Sequence, residues 1–174
     1  MASRPEAWQR GPVPGIPEQL QPVAHALIGA GEDATDAVAG LTASQVWMSP
    51  GGAASIGFHL MHLAGSTDRL FTYARGEGLS DAQKAALAAE RTLTEPRPGI
   101  DDLVRGWHDT VQRCLHQLEK TPNSLLDEPR GVGRMQVPSN VRGLLFHGAE
   151  HATRHVGQII TTAKIIRGLE TSVK

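Results

Sequence analysis

Three histidines, His147, His151 and His155, stand four residues apart in the last third of the chain. Residues four apart in a helix lie on one face, one turn above the other. Two such imidazoles can bind one metal ion, at about 2.0–2.1 Å for each Zn–N bond. All three cannot, because His147 and His155 are separated by roughly 12 Å along a helix that rises 1.5 Å per residue. The spacing therefore predicts a metal site that uses one pair of these histidines.

Hydrophobic periodicity indicates which pair lies closest to a protein interior. Between residues 139 and 167 the apolar side chains form one stripe at helical spacing. At about 100° per residue, His155 falls inside the edge of this stripe, His151 just outside it, and His147 well toward the polar side. We therefore expect His151 and His155 to be the ligands. The alternative is three histidines scattered along a solvated flank.

A second helical segment offers a third ligand, because His59 and His62 stand three residues apart on it. His59 lies at the edge of the apolar stripe of that segment, so periodicity favours His59 as the buried histidine. His62 lies further round, in a polar strip with Ser66, Arg69 and Tyr73. Such a strip can line a binding site, and a solvated helix face is the alternative reading.

A different metal motif overlaps the histidine-rich stretch. His147-Gly148-Ala149-Glu150-His151 matches His-x-x-Glu-His, the inverted zinc-protease signature, in which two histidines bind zinc and the glutamate is the base. Against this reading, His147 is turned away from the apolar stripe and Glu150 still further. That class also takes a carboxylate ligand well downstream, where only Glu170 remains.

The composition of the chain excludes several classes of function. Its 174 residues suit one domain with a hydrophobic core, and 17 Lys and Arg against 18 Asp and Glu argue against a general nucleic-acid surface. No run of about 18 apolar residues predicts a membrane span, and the N-terminus lacks the apolar core of a signal peptide. The single cysteine, Cys114, cannot form an internal disulfide. We expect a cytoplasmic protein.

The elements that must position these histidines are helical. Residues 1–16, rich in Pro and Gly, predict a flexible arm with no regular structure, and residues 17–174 predict one domain. Main helices are predicted, from their apolar stripes, over about residues 17–41, 55–75, 100–120 and 139–167. The fold we expect is an all-α four-helix bundle.

Shorter elements connect these four helices. Residues 42–47 predict a short turn of helix, and a capping-box pattern at residues 80–83 predicts a short extra helix between the second and third main helices. Residues 121–138 predict a long loop, of the kind that often serves as a lid or a binding loop. The long connection between the second and third main helices can cross the bundle, whereas the short one between the first and second cannot.

Three further residues of chemical interest are assigned by the same stripes. Cys114 falls on the apolar stripe of the third main helix, which predicts a buried small hydrophobic residue and not a nucleophile. His108 flanks that stripe and is a reserve metal ligand. His25 lies off the stripe of the first helix, so we expect it at the surface.

The two histidine-bearing segments resemble the DinB-like family of metal-binding four-helix bundles, which includes the bacillithiol and mycothiol S-transferases. The pattern of that family in the last helix is His, three residues, His, then a small or basic residue, Gly and Gln. This sequence has Glu150-His151-Ala152-Thr153-Arg154-His155-Val156-Gly157-Gln158-Ile159 at the corresponding place, and His-Leu-Ala follows Leu60-Met61 in the second helix.

Matching position by position, the resemblance implies a metal triad of His62, His151 and His155. Val156 is a departure, because the family often has Arg there. His59 and His147 are extra histidines one turn from the ligand segments. They leave open a shift of the ligand set by one turn, or a supporting role for these two side chains.

Three neutral imidazoles leave at least one coordination position for water or a substrate. They suit Zn²⁺, Ni²⁺ or Fe²⁺ better than Mg²⁺ or Ca²⁺. No carboxylate obviously lies beside the triad to act as a general base. Arg69, Tyr73 and Gln158 are the nearest candidates for positioning a substrate.

The resemblance implies a metal-dependent enzyme acting on a small molecule, either a low-molecular-weight thiol S-transferase or a hydrolase. The spacing of the residues does not choose between these reactions. A non-catalytic, metal-binding or stress-related bundle is the alternative function. Members of the family often form dimers, and Trp8, Trp47 and Met48 lie outside the main stripes, so we expect a homodimer.

Overall fold

A computed structural model of the chain describes residues 4–92 and 95–171, without the side chains of Arg91, Glu170 and Thr171. Met1–Ser3 of the predicted arm, and the Glu170 carboxylate, thus lie outside the described residues. The helices and strands are α1 (Gln21–Val38), α2 (Ala43–Val46), α3 (Ile56–Ala74), α4 (Asp81–Arg91), α5 (Ile100–Glu119), β1 (Pro129–Val132), β2 (Val137–Asn140) and α6 (Val141–Thr171). The helical fold class is confirmed, with α4 as the short extra helix.

The four long helices α1, α3, α5 and α6 form the bundle. Both α1 and α3 pack mainly against α5 and α6, so α1 and α3 occupy opposite corners. The chain therefore crosses the bundle between α1 and α3, through α2. The prediction that only the long connection can cross is wrong, because α3 and α5 are neighbours. A connection of residues 39–55 is long enough, since extended chain spans roughly 3.3–3.6 Å per residue.

Side-chain caps set where several helices begin. The Ser55 hydroxyl accepts a hydrogen bond from the Phe58 amide at the start of α3, at 3.2 Å. Ser80 and Gln83 form a reciprocal capping box at the start of α4. Asn140 Oδ1 accepts from an amide in the first turn of α6, at 2.7 Å. Each cap satisfies a backbone donor that the helix itself cannot. The residues at which α3 and α6 begin determine how far along each helix axis the histidines lie.

The predicted stripes fill the core. Trp107, Phe71 and Leu145 are fully buried, each worth roughly 1.5–3 kcal/mol or more relative to exposure. Cys114 is buried as predicted, and burial raises the pKa of its thiol to about 12. Among the helices of the described residues, none combines the length and the apolar character needed to cross a bilayer.

The predicted loop at residues 121–138 is wrong in its second half. Pro129–Val132 and Val137–Asn140 pair as an antiparallel hairpin, with Val132 opposite Val137. Strands of four residues containing Gly and Pro are too short to show an alternating pattern. The predicted end of the last helix near residue 167 is also wrong, because α6 continues past Gly168 to Thr171. A glycine inside a helix costs about 1 kcal/mol but need not end it.

The N-terminal segment lies against α1. Ala7–Arg10 forms a 3-10 turn, so the prediction of no regular structure is wrong there. Arg10 donates two hydrogen bonds to the Glu32 carboxylate of α1, both at 2.9 Å. His25, expected at the surface, is half-buried because its Nε2 meets the Gly11 carbonyl at 3.0 Å.

Candidate metal centre

The candidate site lies between α3 and α6. His62 lies beside His151, and Phe71 lies beside Gly148, so the two helices run in opposite directions. A Cβ at Gly148 would lie 3.1 Å from the Phe71 ring. The absence of a side chain at position 148 therefore permits the close approach of α3 and α6 that brings their histidines together.

Three histidines from the two helices converge. His62 of α3 and His151 and His155 of α6 each offer one ligand nitrogen, and these atoms all lie within 4.8 Å of one another. Nε2 of His62 is 3.0 Å from Nε2 of His151. Two nitrogens bound to one tetrahedral zinc at 2.0–2.1 Å lie about 3.3–3.5 Å apart. Small rotations of the rings would thus let the three imidazoles hold a divalent transition metal.

A buried carboxylate holds the first of these histidines. Glu90 of α4 accepts from Nδ1 of His62 at 2.8 Å and from Nη1 of Arg69 at 2.6 Å. Its side chain is only 6% exposed. Burial by itself would raise the pKa of Glu90, but the hydrogen bonds from His62 and Arg69 outweigh it and lower that pKa. A carboxylate does lie beside the triad, but both of its oxygens are engaged by His62 and Arg69, so it is not the general base that the sequence also failed to show.

The ionised Glu90 decides which nitrogen of His62 can bind a metal. A carboxylate without a proton can only accept, so Nδ1 of His62 carries the hydrogen. The lone pair is then on Nε2, the atom that faces His151. Metal-binding histidines commonly donate their other N–H to a carboxylate, which fixes the ring orientation.

Two sequence features bear on Glu90, although neither identifies it alone. A Cβ at Gly65 would overlap the Glu90 carboxylate and lie 2.7 Å from Nη1 of Arg69, so the glycine makes room for the ion pair. Glu90 also follows Gln83 by two helical turns, and Gln83 Nε2 donates to Asp68 at 2.6 Å. Gln83 and Glu90 therefore share one face of α4. This shared face is the sequence signal that could have placed Glu90 against α3.

His59 lies next to the triad and contacts His155. It is 5% exposed, and its Nδ1 lies 2.9 Å from Nδ1 of His155. Periodicity therefore identified the buried histidine of α3, while the resemblance identified His62 as the one in the cluster. Burial, and then the neighbouring His62, lower the pKa of His59. A neutral His59 can accept the Nδ1 proton of His155, which leaves the other nitrogen of His155 free for a metal.

The two histidines of α6 are held in the neutral form. Burial, and then the neighbouring histidines, lower the pKa values of His151 and His155 to about 4. Metal ions bind neutral imidazole, so at neutral pH a metal does not have to displace a proton from a charged form of these two rings. The side chain of His62 is 23% exposed, which leaves the triad within reach of solvent.

The overlapping protease-like motif is not assembled. His147 is exposed, and its Nδ1 lies 3.4 Å from Glu150. Glu150 in turn pairs with Arg154 on the outer face of α6. The cluster formed by the described residues does not include His147. The reserve ligand, His108, is also elsewhere, since its Nε2 meets Thr35 of α1 at 2.8 Å.

The residues expected to position a substrate are dispersed. Arg69 is engaged by Glu90, Tyr73 lines a separate cavity beside the β1–β2 hairpin, and Gln158 is exposed on α6. The polar strip of α3 therefore does not form one continuous lining. Only its His62 end belongs to the triad.

Known proteins resemble the chain in both sequence and fold. The family model of the DinB superfamily matches residues 26–159, which include all three histidines of the triad. A crystal structure described as that of a conserved protein of a locus from Enterococcus faecalis has the same fold, with a TM-score of 0.69 at 15% identity over 86% of this chain and 97% of that one. No curated protein matches the sequence. The family match covers most of the chain, and with the helical bundle around it shows that this protein belongs to the DinB superfamily.

Proposed function

We propose that this chain binds one Zn²⁺, Ni²⁺ or Fe²⁺ ion through His62, His151 and His155. With this metal, the protein acts as an S-transferase of a low-molecular-weight thiol. The observation that carries the proposal is the convergence of three imidazole nitrogens within 4.8 Å from two helices. Such a donor set suits these metals. A divalent metal held there would lower the pKa of a thiol or water bound to it.

The residues around the triad prepare the ligands for this task. Glu90 keeps the proton of His62 on Nδ1, and His59 can do the same for His155. Both contacts fix the ring planes of the ligands before a metal arrives, so the site needs little rearrangement. The partly exposed edge of His62 leaves one side open to a small thiol substrate.

One observation favours thiol transfer over hydrolysis. Glu90 is the only carboxylate that hydrogen-bonds a triad histidine within the described residues, and both of its oxygens are already engaged. It is therefore not available to take a proton from an attacking water. A thiol needs less help, because its ordinary pKa of about 8.5 is far below that of water. Metal-dependent hydrolysis is the second reaction that the resemblance implies.

A non-catalytic metal-binding bundle is the alternative function. Four cavities of about 360 to 960 Å³ are formed by the described residues near other parts of the bundle. None of these four has a triad histidine in its wall, whereas enzymes usually bind substrates in a concave pocket.

Metal analysis of the purified protein, followed by a thiol-transfer screen, tests the proposal. We expect about one metal per chain and transfer of a small thiol to an electrophilic substrate that requires the metal. His151→Ala should lose both properties, and His147→Ala, altered one turn away, should keep both. Bound metal without turnover of thiols or esters would favour the non-catalytic function. A wild-type protein that cannot be loaded with any of the three metals would contradict the transferase, the hydrolase and the non-catalytic metal-binding function alike.

We also propose that the chain forms a homodimer. Trp8 is 62% exposed and Met48 40% exposed, which leaves apolar surface to bury. Trp47 contributes less than expected, because it is half-buried against Gly57 and its Nε1 donates to the Pro98 carbonyl at 3.2 Å. A monomer in light scattering at micromolar concentration would contradict this proposal.

A further inference from the structure

A second concave region lies along the side of α4 that carries Lys84, Leu87 and Ala88. It is a groove of about 960 Å³ between the end of α3, one side of α4 and the β1–β2 hairpin. Tyr73 of α3 lines it, roughly 16 Å along the helix from His62 at 1.5 Å per residue. The groove is therefore distinct from the candidate metal centre, and its volume is that of a small-molecule site.

The charged residues that line this groove are mostly basic. Lys84, Arg130 and Arg134 contribute to its wall, against the single carboxylate of Glu77. Glu77 is already paired with the guanidinium of Arg75, at 2.8 Å. The groove consequently presents an excess of positive charge to any ligand that enters it.

Arg130 is held in place before any ligand binds. Its Nε donates to the Ala74 carbonyl at 2.9 Å and its Nη1 to the Pro129 carbonyl at 2.8 Å. The side chain is only 18% exposed, and its Nη1 also lies 3.9 Å from an oxygen of Glu128, whose side chain is 53% exposed. Gly76 beside it adopts a φ of +79°, a backbone conformation that L side chains rarely adopt. Nη2 of Arg130 has no hydrogen-bond partner among the described residues.

The other cations are less engaged. Arg134, at the tip of the hairpin, is exposed and makes no ion pair within the described part of the chain. Lys84 pairs only with Asp81, a contact in which the two side chains are 61% and 99% exposed. Exposed pairs of this kind contribute about 0–1 kcal/mol, so an anionic ligand can replace them.

The rest of the groove is apolar, apart from a few polar groups. Leu79, Leu87 and Ala88 line one side. Tyr73 also lines the groove, and its hydroxyl has no hydrogen-bond partner among the described residues. An apolar wall facing convergent donors is the arrangement that binds a molecule with one charged end.

We infer that this groove binds a small organic anion with an apolar body. The carboxylate or sulfonate group lies against Arg130, Arg134 and Lys84, and the apolar body packs on Leu79 and Leu87. The predicted loop at residues 121–138 is thus a binding element, because its hairpin supplies two of the three cations. This inference is independent of the reaction proposed for the triad.

Titration of the full-length, metal-loaded protein with 1-anilinonaphthalene-8-sulfonate tests the inference by fluorescence. Arg134→Ala and Lys84→Ala should each weaken binding about three- to tenfold, because each removes one charge-assisted contact. Ala88→Trp should abolish binding by filling the groove. Ala86→Trp on the same helix, and Lys164→Ala on α6, are matched controls that should bind like the wild type, since neither residue lines the groove.

Several outcomes would overturn the inference. Equal affinities of the wild type, Arg134→Ala and Ala88→Trp would place the probe elsewhere on the protein. Equal binding of the uncharged analogue N-phenyl-1-naphthylamine would remove the role of the anionic group. Removal of the metal should leave the affinity for the probe unchanged, so failure here is separable from failure of the triad. Circular dichroism of every variant confirms that the bundle is folded.

Discussion

Two side chains of α4, Glu90 and Lys84, have very different surroundings. At the C-terminal end, Glu90 is 6% exposed and bonded to both His62 and Arg69. At the other end, Lys84 is 61% exposed and lines an open groove. The buried end orients its histidine before a ligand arrives, whereas an exposed cation must lose conformational freedom when a ligand binds. The same helix thus supports a preorganised site and an adaptable one.

The difference also shows why one polar strip need not be one site. His62, Ser66, Arg69 and Tyr73 follow each other along one face of α3. Arg69, with its partner Glu90, occupies the middle of that face and separates the triad from the groove. The experiments below test whether the two ends are as different as their burial indicates.

The largest expected effect is the loss of metal from the triad. His62→Ala, His151→Ala and His155→Ala should each remove most of the bound metal, because each deletes one of three ligands. The bundle should remain folded, since its apolar stripes are intact and a metal adds stability only by favouring the folded state. Metal content per chain, measured by mass spectrometry alongside circular dichroism, checks this.

Two neighbouring histidines are the controls for that experiment. His147→Ala should keep the metal because its ring is exposed and outside the cluster. His59→Ala should keep it with a weaker affinity, because His155 loses its hydrogen-bond partner. Retention of metal in His155→Ala with loss in His147→Ala would revive the protease-like ligand pair. Loss in His59→Ala with retention in His62→Ala would exchange the roles assigned to these two residues.

Removal of the buried carboxylate should have the next largest effect. Glu90→Gln should weaken metal binding about 10- to 100-fold, because the amide no longer fixes the proton of His62 on Nδ1 as an ionised carboxylate does. Competition with a chelator of known affinity measures the change. Glu128→Gln, at an exposed carboxylate beside β1, should bind metal like the wild type. An unchanged affinity in Glu90→Gln would show that the triad is not preorganised by α4.

A smaller effect is expected from pH on the metal-free protein. His151 and His155 have pKa values of about 4 in the folded chain against 6.5 in a model peptide. Between these values the unfolded chain binds protons that the folded chain does not. The free energy of unfolding should therefore fall as the pH is lowered from 6.5 toward 4, and these groups should not affect it above that interval. The lowered pKa of Glu90 acts in the same direction, but below 4.5.

Urea titrations at a series of pH values measure this dependence. A double variant, His151→Ala with His155→Ala, should lose less stability on acidification than the wild type, because two of the titrating groups are gone. Equal pH dependence in both proteins would show that the two histidines have ordinary pKa values in the folded chain. The triad would then be more accessible to water than the burial of its α6 histidines indicates.

The smallest expected effect is on the hydrophobic core of the bundle, which lies between the metal centre and the groove. Cys114 should react slowly with thiol reagents in the wild type, because it is 3% exposed and burial raises its pKa to about 12. The triad variants and Arg134→Ala should label equally slowly, since neither the metal centre nor the groove is needed for the bundle to fold. Rapid labelling of a triad variant would show that the metal centre holds the core together.

The sequence by itself determined the local structure. Helix starts at Ser55 and Ser80 follow from caps whose donors and acceptors are a few residues apart. The apolar stripes predicted the core, including Cys114, because the period of a helix fixes which residues share a face. The ranking of His155, His151 and His147 by distance from the stripe is of the same kind. Each of these properties depends on neighbours along one helix.

Only the tertiary structure decided what lies across the gaps between helices. Periodicity could show that His59 is more buried than His62, but not that His62 meets His151 at 3.0 Å. Glu90 was absent from the predicted site because its partners lie on another helix. The hairpin that carries Arg130 and Arg134 was not predicted, because its strands are too short to show an alternating pattern. A helix period gives the direction of a side chain, whereas contacts depend on how two helices are placed, which the close approach at Gly65 and Gly148 controls.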